Sequence, residues 1–239
     1  MTPASAVILA GGRSRRLGRE KAFAEVGRRE LLQRVLDAAR GFDPLILVAN
    51  DRPAYERALQ RYGWRPAAAS NAERREYRRA AETLLLIPDR RPGLGPLAGI
   101  EAGLEATFRE LSWVVGCDQP FLTPELGRHL VAGLATERRG PHPPPEPPFA
   151  LVPVLRGRPQ PLCAAYERAA GEVAGACLDA GLRSVSDLLA RLRVRELPAR
   201  LLVELGDPAS LLFNVNRGAD LEEARRRAGR ARTEGRAPP

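Results

Sequence analysis

The sequence predicts an α/β protein of three layers, with a mostly parallel central sheet and a small antiparallel hairpin. Three observations carry that expectation. Short, continuously apolar runs recur at residues 6–10, 45–49, 84–87 and 113–116. Segments with helically spaced apolar residues lie between them, and glycine or proline marks the joints. Strands that are apolar throughout, rather than alternately, are buried on both faces, as in parallel sheets covered by helices.

The first run ends in Gly11-Gly12, so a buried strand feeds a glycine loop. Residues 30–40 place Leu31, Leu32, Val35, Leu36 and Ala39 on one face, and Gly41 and Pro44 stop the resulting helix. The second strand, 45–49, leads to a helix over 53–62. Residues 66–83, rich in Ala, Arg and Glu, predict a basic helical insertion before the third strand, 84–87. A loop containing Gly93 and Gly95 then opens a helix that runs to Phe108, and 113–116 is the fourth strand. The proline-rich stretch 140–148 admits neither helix nor inner strand. It reads as an extended loop within a single domain, 1–224, separating a nucleotide-binding half (1–139) from an acceptor half (149–224). In the second half, 150–155 and 162–166 predict an antiparallel hairpin about Gly157. Helices over 167–180 and 184–192 follow, with short strands at 194–197 and 211–215.

Composition removes several classes of function. With 239 residues, 44% hydrophobic and 28% charged, the chain can bury a sizeable core. No apolar stretch approaches the roughly 20 residues of a spanning helix. The start, Met1-Thr2-Pro3-Ala4-Ser5, lacks the basic and apolar regions of an export signal, so a cytoplasmic setting without membrane attachment is expected. Cys117, Cys163 and Cys177 form no Cys-x-x-Cys pair, and only His129 and His142 accompany them, which leaves no disulfide framework or zinc site. Cys117 and Cys163 are expected to be small buried hydrophobes. Of the net +9, residues 225–239 carry +5 through six arginines and one acid, so they are read as a basic, frayed tail. With that tail set aside and aromatics at 5%, the stacking platform of a specific nucleic-acid binder is missing. A surface weakly attractive to polyanions remains. The 38 basic residues comprise 37 arginines and one lysine, Lys21, and only four asparagines occur, at 50, 71, 214 and 216.

Residues 9–21 read L-A-G-G-R-S-R-R-L-G-R-E-K. The stretch is neither a Walker A loop nor a Gly-x-Gly-x-x-Gly fingerprint, because its glycines fall at 11, 12 and 18. Paired glycines let backbone N–H groups approach an anion, and neighbouring cations supply charge along a phosphate chain. By pattern alone, a tight turn with solvated arginines is an equal reading. Asn50, Asp89 and Asp118 each follow a predicted strand, which puts them on the same carboxyl edge as the glycine loop, where open α/β sheets bind ligands.

This loop resembles the signature of the molybdopterin nucleotidyltransferases, L-A-G-G-x-S-x-R-M-G-x-D-K, with Leu17 in place of Met and Glu20 in place of Asp. Three further matches follow in order: Gly95-Pro96-Leu97-Ala98-Gly99, Cys117-Asp118-Gln119-Pro120-Phe121-Leu122, and Phe213-Asn214-Val215-Asn216 before Ala219-Asp220-Leu221. The resemblance implies a Rossmann-like nucleotidyltransferase fold and transfer of GMP from GTP to molybdopterin, with pyrophosphate released. Lys21, Asp118 and Arg16 are then the catalytic residues. The nucleotide would lie among Leu9, Ala10, Gly11, Gly12, Lys21, Asn50, Asp89, Gly95, Pro96, Leu97 and Asp118. Asp118 would hold Mg²⁺, and Asn214 and Asn216 would face the acceptor. Further partners implied are other proteins of molybdenum-cofactor synthesis or apo-molybdoenzymes. An Asp carboxylate can accept from the N1–H and 2-amino groups of guanine, which would suit Asp89. Arg156, Arg158 and Gln160 read as solvated loop residues. The alternatives are a CTP-dependent relative, whose loop reads L-A-A-G rather than L-A-G-G, and a sugar- or small-molecule-phosphate nucleotidyltransferase.

Overall fold

The structure is a computed structural model and describes residues 2–10, 21–68, 74–138 and 149–233. Strand β1 (Ser5–Leu9) is buried along its whole length. The next described elements are a 3-10 turn at Lys21–Phe23 and the two-residue strands β2 (Glu25–Val26) and β3 (Arg29–Glu30). Helix α1 (Leu31–Ala38), strand β4 (Leu45–Val48) and helix α2 (Arg52–Arg61) follow, the last opened by Asp51, whose side chain accepts from the Ala54 N–H. Strands β5 (Arg65–Pro66), β6 (Arg75–Arg79) and β7 (Glu82–Ile87) precede helix α3 (Pro96–Ala106), strand β8 (Leu111–Gly116) and helix α4 (Pro124–Arg138). The second half holds β9 (Phe149–Leu155), β10 (Arg158–Pro159), β11 (Cys163–Glu167), α5 (Ala170–Asp179), α6 (Val185–Leu189) and β12 (Arg193–Pro198). A 3-10 segment, Ala199–Leu205, and helices α7 (Pro208–Leu211) and α8 (Gly218–Thr233) complete it.

Ten strands form one mixed sheet in the order β10-β9-β11-β8-β1-β4-β7-β6-β5, with β12 added on β9. The central four, β8-β1-β4-β7, are mutually parallel, and the flanking β11 and β6 run antiparallel to them. A separate two-stranded sheet pairs β2 with β3. Successive residues of β1 point to opposite faces: Ala6 and Ile8 join a core that includes α1, α2 and α4 side chains, and Val7 and Leu9 join one that includes α3, α5 and α6 side chains. Both faces are therefore covered. A fully buried Ile8 or Leu47 is worth about 1.5–3 kcal/mol, so the apolar runs set the sheet's centre.

The connectivity reverses at β1. From β1 the chain steps outward through β4 and β7, then returns to place β8 on the other side of β1. In a doubly wound sheet such a reversal opens a crevice at the carboxyl ends of the two strands. The crevice here lies between the ends of β1 and β8.

Three sequence expectations give way. Residues 75–87 form a β-hairpin, β6–β7, in place of a helical insertion; on β6 only Tyr77 is buried, so the strand pairs at a polar edge where no apolar run announces it. Residues 211–215 are not a strand: Leu211 ends α7, and Leu211 and Leu212 enter one core cluster while Val215 enters another. The residues from Arg225 are not frayed as far as Thr233 but continue α8. That helix buries Leu221, Ala224 and Ala228 against Val26, Leu31, Phe121 and Val215 in a third, smaller cluster. The proline-rich loop 140–148 lies outside the described residues. Among the described residues, no helix is long and apolar enough to cross a membrane.

Candidate active site

Backbone hydrogen bonds carry the central strands one residue past their formal ends: Ala10 N–H donates to Val48 O, Ala49 N–H to Ile87 O, and Cys117 N–H to Leu9 O. The residues that come next, Asn50, Asp89 and Asp118, thus emerge along a single edge of the sheet. Tyr55 from α2 donates its hydroxyl proton to the Ala10 carbonyl at 2.7 Å, anchoring the point where the glycine loop departs. Gly11, Gly12 and Arg16 lie outside the described residues.

Among the described residues, an ion pair stands at the carboxyl end of β8. Lys21 Nζ donates to Asp118 Oδ2 at 2.8 Å, with the two side chains 11% and 25% exposed. No described residue hydrogen-bonds Asp118 Oδ1. A Cβ at position 116 would stand 2.5 Å from that oxygen, so glycine two residues earlier leaves the space in which the carboxylate turns. The Asp118 carbonyl accepts from Val215 N–H at 2.9 Å, which brings the segment holding Asn214 and Asn216 beside the same residue.

Arg34 was not among the residues singled out by sequence. It is 9% exposed, and its guanidinium donates through Nε to Val26 O at 2.9 Å and through a terminal nitrogen to Pro120 O at 3.3 Å. One planar fork therefore joins the hairpin that follows Lys21 to the turn that follows Asp118. Burial and the neighbouring Arg29 lower its pKa, against Asp37, which raises it. The signal was present in the sequence: Arg34 lies three residues from Leu31 on a helix face that is otherwise apolar.

On the far side of β1, the Asn50 side-chain oxygen accepts from Asp89 N–H at 3.0 Å, and Asp89 Oδ1 accepts from Arg91 N–H at 2.9 Å. Burial raises the Asp89 carboxyl above the usual carboxylate range, and the Arg91 amide pulls it partly back. Leu9 and Ala10 are buried, so backbone is what they offer a ligand. Gly95 and Pro96 open α3 as expected, and Leu97 is fully buried with its side chain in the core, so backbone is what it offers a ligand. Asn214 is half-buried and donates to Leu212 O at 3.3 Å and to Gln160 Oε1 at 3.5 Å, so Gln160 lies beside Asn214 rather than in a purely solvated loop. Asn216 has an exposed side chain, and its N–H is held by Asp220 Oδ2 at 2.8 Å. The two asparagines are not on a strand and do not share one face through strand alternation.

Cys163 is wholly buried and its thiol is pushed up to about 12, and Cys117 is buried too, which fits packing roles for both. A cavity of about 560 Å³, lined by Phe42, Asp43, Arg109 and Arg128 among others, lies at the opposite edge of the sheet. Asp43 and Arg109 sit before the amino ends of β4 and β8, so this cavity is separate from the crevice.

A doubly wound sheet with a lysine–aspartate pair at its reversal point, in a sequence whose first strand runs into Gly11-Gly12, has the outline of a nucleotidyltransferase. The model of the MobA-like NTP transferase domain matches residues 6–194, and the chain belongs to that family. It is 32% identical over 238 residues to a protein of Pelotomaculum thermopropionicum named probable molybdenum cofactor guanylyltransferase, covering 98% of this chain and 97% of that one. To the molybdenum cofactor guanylyltransferase of Desulfosudis oleivorans it is 29% identical, over 94% and 95% of the two chains. Among solved structures, the molybdopterin-guanine dinucleotide biosynthesis protein A of Archaeoglobus fulgidus superposes with a TM-score of 0.72 at 27% identity, over 95% of this chain and 99% of that one.

Arg34→Met is expected to keep the fold and lower kcat at least tenfold, because the lysine and aspartate segments lose their shared donor. Circular dichroism and steady-state kinetics would check this, and wild-type kcat in a folded variant would reject the role.

Proposed function

We propose that this enzyme transfers GMP from GTP to the terminal phosphate of molybdopterin, releasing pyrophosphate and forming the guanine dinucleotide of the cofactor. The observation that carries the reading is the Lys21–Asp118 pair in the crevice at the end of β1, in a chain whose relatives of that name match nearly end to end.

An oxygen of the molybdopterin phosphate attacks the α-phosphorus of GTP, the bond from that phosphorus to the bridging oxygen breaks, and pyrophosphate leaves in line. A phosphate monoester is largely ionised near neutral pH, so the attack needs no strong base. Lys21 supplies a compact positive charge to the α-phosphate as negative charge builds there. The Gly11-Gly12 amides and Arg16 would neutralise the outer phosphates. Asp89, with Asn50 fixing its backbone, would read the guanine edge, and the first free amides of α3 would approach the base or ribose. Asn214, Asn216 and Gln160 would hold the acceptor beside Asp118, within reach of the α-phosphate. Positioning of the two phosphates is then the larger part of catalysis.

Mg²⁺ fits the carboxylate present. Asp118 Oδ1 has no hydrogen-bond partner among the described residues, and no group of three or more His, Cys, Asp or Glu side chains gathers among them. Magnesium is typically held by one or two carboxylates together with phosphate oxygens and water, so Asp118 would hold it jointly with the nucleotide. When bound, the ion would screen the charge of the phosphate chain. Lys21 would turn from Asp118 to the phosphates of the bound nucleotide.

Turnover with molybdopterin and Mg²⁺ is expected with GTP and not with CTP; equal or faster reaction with CTP overturns the assignment. Lys21→Arg should lower kcat about 100-fold or more, since a wide fork replaces a point charge in a tight space. Near-full turnover would remove Lys21 from the chemistry. Asp118→Asn should abolish the dependence of turnover on Mg²⁺ concentration, and an unchanged magnesium response would reject Asp118 as the ligand.

A further inference from the structure

Glu101 is a buried acid that the proposed reaction does not use. It sits on α3 among Leu97, Ile100 and Leu104, with its side chain 6% exposed and Oε2 lacking any hydrogen-bond partner. On the facing α5, a Cβ at position 175 would stand 2.8 Å from its other oxygen, so that site is open only because residue 175 is glycine. Burial raises the Glu101 carboxyl, Arg91 lowers it, and Glu105 and Asp179 raise it further. An acid kept in such a place needs a cation, and the cation comes from a loop.

That cation is Arg91. Its guanidinium lies 3.1 Å from Glu101 Oε1 and 2.6 Å from Asp179 Oδ1, so it straddles the carboxylates of α3 and of the last residue of α5. Its backbone N–H reaches the other way and donates to Asp89 Oδ1 at 2.9 Å. Asp89 is thus gripped from two sides, its own N–H by Asn50 and its carboxylate by the Arg91 amide. A carboxylate that must meet the paired N1–H and 2-amino donors of guanine has to be held in one plane, and the single residue between Asp89 and Arg91, Arg90, leaves little slack between the positions of the two.

We infer that Arg91, seated by Glu101 and Asp179, is a positioning residue for nucleotide specificity, which fixes the Asp89 carboxylate toward the guanine edge. The inference rests on the reading of Asp89 as the base-recognising residue. It names the substrate feature selected, the 2-amino group beside N1–H, and ascribes the selection to a tether outside the binding edge.

The test uses the full chain and its Arg91→Met, Glu101→Gln and Asp89→Asn variants. KM and kcat are measured for GTP and for inosine triphosphate, which keeps N1–H and lacks the 2-amino group. Arg91→Met is expected to raise KM for GTP about tenfold, the scale of one well-placed hydrogen bond, and to narrow the preference for GTP over inosine triphosphate. The effect should fall on KM more than on kcat, as for a loss of uniform binding. Glu101→Gln, nearly identical in shape, should move the same preference in the same direction by less. Loss of the preference in Asp89→Asn with none in Arg91→Met overturns the tether and leaves the base reading standing. An equal fall in kcat for both nucleotides in Arg91→Met also overturns it, since that is what a general structural role would give. An unchanged preference in Asp89→Asn overturns the base reading itself.

Discussion

Lys21 and Asp118 lie 97 residues apart in the chain and 2.8 Å apart in space, and much of the molecule is arranged to keep them so. The aspartate is placed by the sheet, one step past the end of a strand buried on both faces. The lysine is placed from outside the sheet. Ala24 N–H donates to the Lys21 carbonyl at 3.0 Å and Leu31 N–H to the Ala24 carbonyl at 2.9 Å, which folds the 3-10 turn and the β2–β3 hairpin back onto α1. Arg34 then ties that hairpin to Pro120, and the small third core packs Val26, Phe121 and Val215 against α8. The hairpin, the turn after β8 and helix α8 meet in that cluster.

As a stabilising contact the pair is modest. Two half-screened charges gain little over their hydration, and what holds the surroundings is apolar burial and backbone hydrogen bonding. Its value is in poise. Each partner covers the other's charge, so neither is left desolvated alone, and a polyphosphate with a divalent ion offers both a better counter-charge at once. Across β1, burial likewise raises the Asp89 carboxyl above its usual range, and the Arg91 amide offsets this in part. A site built of satisfied but exchangeable pairs can remain folded while its reactive charges stay available.

What was legible in the sequence follows the physics of burial. The four central strands are continuous apolar runs because both faces are covered, and the polar residues just past them gather on one edge because the strands are parallel and end together. The misses share a cause. β6 buries only Tyr77 and is specified by its pairing with β7, a long-range match that an Arg- and Glu-rich stretch does not advertise. α8 looked like a charged tail because its arginines dominate, yet Leu221, Ala224 and Ala228 form a stripe at helical spacing. Several of those arginines are neutralised within the helix, Arg225 by Glu222 and both Arg226 and Arg227 by Glu223. Residues 211–215 are apolar without being a strand because they serve two different clusters. Gln160 reads as solvated loop in the sequence and Arg34 does not stand out there, since each meets a partner more than 50 residues away.

The arginine bias of the chain separates two kinds of cation. Where a bridge between fixed acceptors is wanted, arginine serves, as with Arg34 between two carbonyls and Arg91 between two carboxylates; the planar fork is pre-organised for both. Where a single charge must leave one partner for another, a fork is a poor choice, because a divided set of donors resists moving as a unit. Lys21 carries one compact charge on a flexible stem, 11% exposed, against one oxygen of one acid. A composition that writes arginine at 37 of 38 basic positions carries its single lysine at this ion pair, where the proposed transfer calls for a compact cation that can move. The charge that counts in this protein is therefore not the excess spread over its surface but the one that its strands, hairpin and last helix close around.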